Sequence, residues 1–372
     1  MAKPSENREL DRYREEMRNV TRSILDLVRA RQDLSLKIAA AKRSQGLGIE
    51  DKQIEARLIA DVKEHATKIG LDEDIAESIA WKLIDSSKIA QRKDTYLEQI
   101  RAFLKASKIR SVSVVGAGRM GVWFARYFQM TGVRVVLFDE NRSRALEKSK
   151  SLGCESTKSF AGVASSELVF LAVPISATPK AVRELTRVVG SKRRIRIIEV
   201  SSVKSEIAKS GMLDESKIPA NVELYSIHPL FGSNVNLFAV NNIVQVNRLE
   251  TDFIERLFPH FCVFKMDSKA HDSLMALMLS LPHSLALVFA DLLVKNAEII
   301  PKGIGSPSYD RMVDLARKVL QESPSVYFEI QSLNPNSKKI LDDALKSLGK
   351  FKDLTTDRRG FARFFETSRQ IE

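Results

Sequence analysis

Residues 111–121, SVSVVGAGRMG, constrain the fold of this chain more than any other stretch. A β-branched run ends at glycines spaced G-x-G-x-x-G, and the helix-prone stretch Val122 to Met130 follows at once. Such a turn needs Gly116 for the tight reversal, Gly118 so that the backbone can lie against an anion, and Gly121 so that helix and strand pack closely. Gly116, Ala117, Gly118, Arg119, Met120 and Gly121 therefore form a candidate cradle for a dinucleotide pyrophosphate. The next apolar run ends at Asp139, 23 residues after Gly116, where a carboxylate can accept bonds from a ribose hydroxyl pair. That charge repels a 2′-phosphate, which favours NAD over NADP, and Arg142 close by keeps the phosphorylated cofactor open.

Beyond the turn, strand-like runs alternate with helical ones: Val133 to Phe138, Leu168 to Val173, Arg196 to Val200, Val222 to Ile227 and Ile243 to Val246. The alternation predicts a mostly parallel sheet with helices on both faces. Ahead of it, residues 8 to about 100 read as all helix, with no proline and with glycine only at Gly46, Gly48 and Gly70. These glycines divide the region into three helices, from about Arg8 to Arg43, Asp51 to Lys68, and from Asp72 as N-cap to about Gln99. From about Lys269 to Leu348 the pattern is helical again, broken around PKGIGSPS, and 350–372 is a polar, basic tail. A multidomain chain is expected: a three-helix all-α domain over 1–103, an α/β Rossmann-type domain over 104–266, and an all-α C-terminal domain over 267–372.

The first helix carries an apolar seam of Leu10, Tyr13, Met17, Val20, Ile24, Leu27, Leu34, Ile38 and Ala41. At about 50 Å it is too long for a lone three-helix domain to cover, so the seam is expected to continue against another chain, a homodimer being the simplest case. Arg31 interrupts that seam. A guanidinium there is costly to desolvate without a partner, and the partner is either an anionic ligand or a carboxylate such as Asp85.

Hydrophobic residues make up 44% of the 372 and charged ones 28%, enough for a real core. Lys and Arg exceed Asp and Glu by 12, a field suited to small anionic metabolites and nucleotide phosphates. No Lys/Arg run interleaved with aromatics stands out, so nucleic acid is not an expected partner. Cys154 and Cys262 lie far apart and form no metal or redox motif; no metal is expected, and the usage fits a reducing cytoplasm. The N-terminus, MAKPSENREL, has no apolar signal-peptide core. Leu274 to Val294 is long enough to span a bilayer but contains Pro282, His283 and Asp291. It reads as a helix buried at a domain or subunit interface, with no membrane partner.

Two strand ends carry polar groups, EVSSVK at 199–204 and YSIHPLFG at 225–232. Ligands sit at the carboxyl edge of a doubly wound sheet, so Ser202 and His228 can face one substrate beside a nicotinamide. Histidine is suited to take a proton from a carbinol as its hydride leaves; the plain alternative is that His228 only opens the loop at Pro229. His271 and His283 stand twelve residues apart in HDSLMALMLSLPH, about 120° apart on a regular helix, so a paired metal site is not expected.

From about 110 to 345 the chain resembles the prephenate dehydrogenase family: GAGRMG, SSVK, HPLFG, HDSLMALMLSLPH and VYFEIQSLNP fall in the family's order and approximate spacing. The resemblance implies oxidative decarboxylation of prephenate to 4-hydroxyphenylpyruvate with NAD as hydride acceptor. His228 matches the catalytic histidine that takes the hydroxyl proton, Ser202 the serine that orients it, and His283 a histidine near the substrate side chain. In SYDR, Asp310 stands where the family usually has a carboxylate-gripping arginine, and Arg311, one residue later, is the candidate for that role. A related dehydrogenase acting on arogenate would differ only in how the side chain is held.

Residues 8 to about 100 resemble the all-helical chorismate mutases. That family carries an arginine, a second seventeen residues on, and a lysine eleven further, the intervals of Arg14, Arg31 and Lys42. Eleven residues overshoot three turns by about 20°, so Arg31 and Lys42 point the same way, about 16 Å apart along the axis. Asp51 and Glu55 fit the acidic positions of the second helix, and Ser87 and Gln91 the polar pair of the third. The resemblance implies the rearrangement of chorismate to prephenate, with Arg14 (reaching into the partner subunit's site) and Arg31 on carboxylates, Lys42 and Gln91 on the ether oxygen, Glu55 on the ring hydroxyl and Ser87 on a carboxylate. Ile54 stands where many members carry another arginine. The whole then reads as a bifunctional enzyme of tyrosine biosynthesis; the alternative is a dehydrogenase with a non-catalytic helical oligomerisation or regulatory module.

Overall fold

The structure, a computed structural model, describes residues 4–45, 51–191, 193–301 and 303–369. It contains two compact units, one formed by the chain up to Ala102 with Asn236–Val240, the other by Phe103–Val235 and the chain from Asn241 onward.

In the first unit, α1 (Pro4–Ser44), α2 (Lys52–Ile69) and most of α3 (Glu73–Ala106) are the three helices. Asp51 caps α2 by accepting from the N–H groups of Gln53 and Ile54, and Gly70 ends it in the left-handed region at φ 73°. Asp72 caps α3 in the same way through Asp74 and Ile75. The break expected at Gly46 and Gly48 lies outside the described residues. The third helix continues past Gln99 because Ile100, Phe103 and Leu104 prolong a buried stripe at helical spacing. Along α1, Leu10, Tyr13, Met17, Val20, Ile24 and Leu27 are 47–70% exposed: within one chain the long seam stays largely uncovered.

The second unit is built on an eight-stranded sheet. Its strands are β1 (Ser111–Val115), β2 (Arg134–Phe138), β3 (Glu155–Ser156), β4 (Leu168–Leu171), β5 (Ile195–Glu199), β6 (Val222–Pro229), β7 (Asn241–Gln245) and β8 (Phe261–Lys265). They lie in the order β3-β2-β1-β4-β5-β6-β7-β8. All neighbours are parallel except β6 and β7, as the alternation of runs predicts. Interleaved are α4 (Arg119–Thr131), α5 (Arg142–Leu152), α6 (Phe160–Val163), α7 (Thr178–Val189), α8 (Ser205–Lys209) and α9 (Phe253–Leu257).

One core cluster joins Val115, Val169, Leu171, Ile197 and Leu224 of the strands to Val182 and Leu185 of α7. A second set of rings, Phe124, Tyr127 and Phe128 of α4 with Phe170 and Phe258, is fully buried and in mutual contact. Each such side chain contributes on the order of 1.5–3 kcal/mol of transfer free energy, so α4 and its preceding turn are firmly seated.

The C-terminal helices are α10 (Ser268–Met275), α11 (Leu281–Lys295), α12 (Pro307–Leu320), α13 (Pro324–Leu333), α14 (Ser337–Leu354) and α15 (Arg358–Ser368). The tail after residue 350 is therefore helical for much of its length. Asp357 caps α15, and Phe361 and Phe364 of that helix meet Phe351 of α14. Between α10 and α11, Ala276–Ser280 forms a π-helical turn. Such a turn absorbs one extra residue, so His271 and His283 are separated as if by eleven positions, leaving about 20° rather than 120° between them. The regular-helix expectation for that pair is corrected by this turn.

Candidate active sites

The glycine turn has the geometry its sequence requires. Gly116 sits at φ 101°, and a Cβ there would lie 2.2 Å from the Ala172 carbonyl oxygen; a Cβ on Gly121 would lie 1.8 Å from the carbonyl oxygen of Gly116. Around Gly118 a Cβ would meet nothing within 4 Å. Gly118 precedes α4 without a side-chain cap, so the first N–H groups of the helix remain open to an anion. Arg119 turns away, its guanidinium 2.6 Å from Glu322 and 2.9 Å from the Gln321 carbonyl.

Asp139, at the end of β2, is buried and already engaged. It accepts from the backbone N–H of Ala117 at 2.7 Å and of Asn141 at 2.8 Å, and the Arg144 guanidinium forks onto both oxygens at 2.8–3.1 Å. Burial alone raises the carboxyl; the Arg144 fork and the two N–H groups outweigh it and hold the group below the usual carboxylate range. The arginine engaged with Asp139 is thus Arg144; both it and Arg142 are exposed.

At the carboxyl ends of β5 and β6 lies a closed polar network. His228, 4% exposed, has Nδ1 3.0 Å from Nε2 of His271, whose Nδ1 is 2.8 Å from Oδ1 of Asp272. Asp272 also accepts the backbone N–H groups of Lys204 and Ser205, each at 2.8 Å. Beneath them Lys204 and Glu199 form a fully buried ion pair at 2.7 Å. Lys204 Nζ donates further to the Ile227 carbonyl, while Ser201 and Ser226 donate to Glu199. A buried pair is tolerated only when its remaining hydrogen-bonding groups find partners; here both Glu199 oxygens accept from serine groups, Oε1 also from lysine, and Lys204 Nζ reaches two acceptors. Ser201 is consumed by this network, so half-buried Ser202 is the serine of SSVK left facing outward. His283 stacks edge-on to Tyr327 at 4.6 Å, and its Nδ1 is buried without a partner among the described residues. Arg311 and Asp310 are exposed at the start of α12, and no hydrogen bond or ion pair among the described residues joins Arg311 to the histidine group.

Burial lowers the pKa of all three histidines. His228 falls well below the ordinary 6.5, with His271 and Lys204 adding to the effect; burial outweighs Asp272 at His271, and acts alone at His283. Because these folded-state values lie below the unfolded one, the unfolded chain takes up protons first. The stabilisation is full above about 6.5 and is lost progressively as pH falls from there toward the lowered folded-state values. The Tm of the transition that reports this unit is expected to drop as pH is lowered from about 7 to 5; a flat Tm across that window in a pH series of thermal melts would contradict it.

In the helical unit Arg31 is half-buried, and burial pulls its guanidinium below the ordinary value. Its partner is not Asp85: Nη1 donates to the Leu83 carbonyl at 2.6 Å and to the Ser87 hydroxyl. Both bonds leave from Nη1, so among the described residues Nε and Nη2 keep donors for a carboxylate. Ser35 donates to the Ser87 carbonyl at 3.2 Å and accepts from Gln91 Nε2 at 2.9 Å. Gln91 Oε1 is buried with no partner among the described residues. Glu55 pairs with Lys88 at 2.9 Å. Lys42 is half-buried near the end of α1. Asp51 is the cap of α2, so its carboxylate has a structural task. Arg14 is exposed and pairs with Asp11 one turn away; seventeen residues place it about 25 Å along α1 from Arg31, too far to share a site within one chain.

The sequence pattern of type II chorismate mutases matches residues 13–92. Those of the prephenate dehydrogenase nucleotide-binding and dimerization domains match 124–243 and 267–367, together more than half of the chain. The chain belongs to the prephenate dehydrogenase family, with a type II chorismate mutase domain ahead of it. It is 21% identical over 330 residues to the T-protein of Enterobacter agglomerans, covering 87% of this chain and 81% of that one. It is 23% identical over 272 residues to a probable arogenate/prephenate dehydrogenase of Methanocaldococcus jannaschii, covering 69% of this chain but only 59% of that relative's length. The fold is shared with prephenate dehydrogenase from A. aeolicus, solved with hydroxyphenyl propionate and NAD+, at TM-score 0.56 and 20% identity over 70% of this chain and 96% of that one.

In the dehydrogenase part, the glycine turn stands just ahead of the matched nucleotide-binding stretch. Sequence reasoning singled out His228 and Ser202 and weighed His271 only as a metal ligand; it missed the buried Lys204–Glu199 pair and the contact of the His271–Asp272 pair with His228. Lys204 lies inside the quoted SSVK, and its signal was a lysine five residues after a strand-end glutamate. In the mutase part, Ser35 and Lys88 were missed. Each stands one helical turn from, or next to, a residue that was named.

Proposed function

We propose that this chain rearranges chorismate to prephenate in its helical part and oxidatively decarboxylates prephenate to 4-hydroxyphenylpyruvate in the remainder, within tyrosine biosynthesis in the cytoplasm. Residues 1–103 are assigned to the mutase, 104–266 to nucleotide binding and 267–372 to the substrate and dimerisation part. The observation that carries the reading is the pairing of His228 with a buried histidine and aspartate at the sheet edge where the glycine turn also opens.

The cradle fits NAD: open space at Gly118, uncapped N–H groups of α4 for the pyrophosphate, and Asp139 at the ribose position. NAD, when bound, supplies the hydride acceptor. His228 takes the proton of the ring hydroxyl, Ser202 holds that hydroxyl, and the low pKa of His228 keeps the base neutral at working pH. His283 and Arg311 are assigned to the substrate side chain and carboxylate.

In the mutase, no group need form a bond to the substrate; the residues hold the reactive conformer and stabilise charge on the breaking ether oxygen. Arg31 is braced through Nη1 and offers its other donors to a carboxylate, beside Ser87. The unpaired Oε1 of Gln91 supports a turned-over amide, in which Ser35 turns its one proton from the Ser87 carbonyl to Oε1 and Nε2 donates with Lys42 to the ether oxygen. Glu55, steadied by Lys88, accepts the ring hydroxyl.

A homodimer is supported by the uncovered α1 seam and by exposed Leu285, Val288, Leu292 and Val294 on α11. Across it Arg14 would complete the partner's mutase site.

The Arg144 fork bears on cofactor choice. It neutralises the carboxylate that would repel a 2′-phosphate, so some NADP use is expected in the wild type. Arg144→Ala frees Asp139 and is expected to cut kcat/KM with NADP by roughly tenfold or more while sparing NAD. Equal changes with both cofactors would contradict this. The functional reading as a whole is tested by supplying prephenate with NAD and following NADH: formation supports it, and no formation with prephenate or arogenate overturns it.

A further inference from the structure

We propose that His271, anchored by Asp272, is a positioning residue that fixes the tautomer of His228 and leaves His228 Nε2 as the proton-accepting atom; this rests on the reading of His228 as the dehydrogenase base. The argument starts at Asp272. Its oxygens receive two backbone N–H groups, of Lys204 and Ser205, each at 2.8 Å. A carboxylate surrounded by donors is an acceptor only, so the proton in its 2.8 Å contact with His271 Nδ1 belongs to the histidine. A neutral His271 protonated at Nδ1 presents a lone pair at Nε2.

That lone pair lies 3.0 Å from His228 Nδ1. One proton must lie between the two nitrogens, and only His228 can supply it. His228 is thereby protonated at Nδ1 and bare at Nε2. The opposite tautomer would set two lone pairs against each other where His271 is 0% and His228 4% exposed, with no room for solvent to relieve them. In the reaction the substrate O–H bond breaks, its electron pair stays on oxygen, and the proton bonds to Nε2 of a ring already turned the right way.

The chain of contacts also fixes position. Asp272 sits on α10, its own carbonyl accepts from Asn334 Nδ2 at 2.8 Å, and its carboxylate ties α10 to the segment that follows β5. The base on β6 is thus registered against the helical part that is assigned to the substrate. Neither His271 nor Asp272 is needed to touch substrate for this.

The test uses the full-length protein labelled with 15N-histidine, with the His228 signals assigned by their loss in His228→Asn. The expected result is a protonated Nδ1 and an unprotonated Nε2; the reverse tautomer in a wild type that forms NADH from prephenate overturns the proposal alone. A second arm compares His271→Gln, whose amide oxygen can accept from His228 Nδ1, with His271→Phe, which cannot. The glutamine variant is expected to keep kcat within about tenfold of wild type and the phenylalanine variant to lose about 10²–10⁴-fold, with KM for NAD little changed in both. Equal losses in the two, or none in either, overturn it. Should His271→Phe not fold, the tautomer in the wild type decides. A wild type that forms no NADH from prephenate overturns the underlying functional reading instead.

Discussion

His228→Asn is expected to lower kcat for NADH formation from prephenate by about 10²–10⁴-fold while leaving chorismate turnover and NAD affinity unchanged. The site owes its base to one side chain at the end of β6, already paired and desolvated. Asparagine keeps a polar group of similar reach toward His271 but cannot take up a proton. The loss should therefore fall on kcat rather than on KM for either substrate. Steady-state kinetics with each substrate varied, and NAD binding followed by fluorescence, check both halves. A variant with near-normal kcat would mean that the proton leaves by another route.

Arg31→Ala is expected to lower kcat/KM for chorismate by about 10²–10³-fold and to leave the oxidation of added prephenate untouched. Two losses combine in this variant. The carboxylate grip disappears, and the Leu83 carbonyl and Ser87 hydroxyl lose the donor that now fixes them. Arg31→Lys separates the two, since an ammonium restores charge but not a fork that can brace α3 and grip an anion at once. It is expected to recover only part of the activity. Following chorismate loss and, separately, prephenate-dependent NADH formation gives the comparison, and an Arg31→Ala protein with unchanged chorismate turnover would remove the mutase assignment.

Much of this architecture could be read before any coordinates. The strand runs near Val133, Leu168, Arg196, Val222 and Ile243 are buried on both faces, which makes them continuous apolar stretches bounded by turns. β3 has only two residues, and β8, FCVFK, has partly exposed positions; neither leaves a clear apolar run. The π-helical turn at Ala276–Ser280 was invisible for another reason. ALMLS is as compatible with a regular helix, and only the packing of α10 and α11 decides where the extra residue goes.

The site residues divide along similar lines. Of the residues that would meet substrate or cofactor, Arg31 stands out because it is polar where periodicity calls for an apolar group, His228 and Ser202 because they follow strand ends, and Gln91 only through the resemblance to the chorismate mutases. The groups that hold them do not. Arg144 and Lys88 look like ordinary surface charges until Asp139 and Glu55 are placed beside them. Asp51 shows the other side of this: a carboxylate ahead of a helix reads as ligand or cap, and in the structure its Oδ1 caps α2. Asp85, weighed as the partner of Arg31, loses to a carbonyl and a hydroxyl on α3 that sequence spacing alone does not favour.

The most direct measurement gives the purified full-length protein chorismate and NAD with no added prephenate, and follows loss of chorismate and appearance of NADH together. The account predicts that chorismate falls from the start and that NADH rises as prephenate becomes available, with both signals lost in the Arg31→Ala variant and only the second lost in His228→Asn. If chorismate stays untouched while added prephenate still reduces NAD, the helical part is not a mutase and the central claim is wrong.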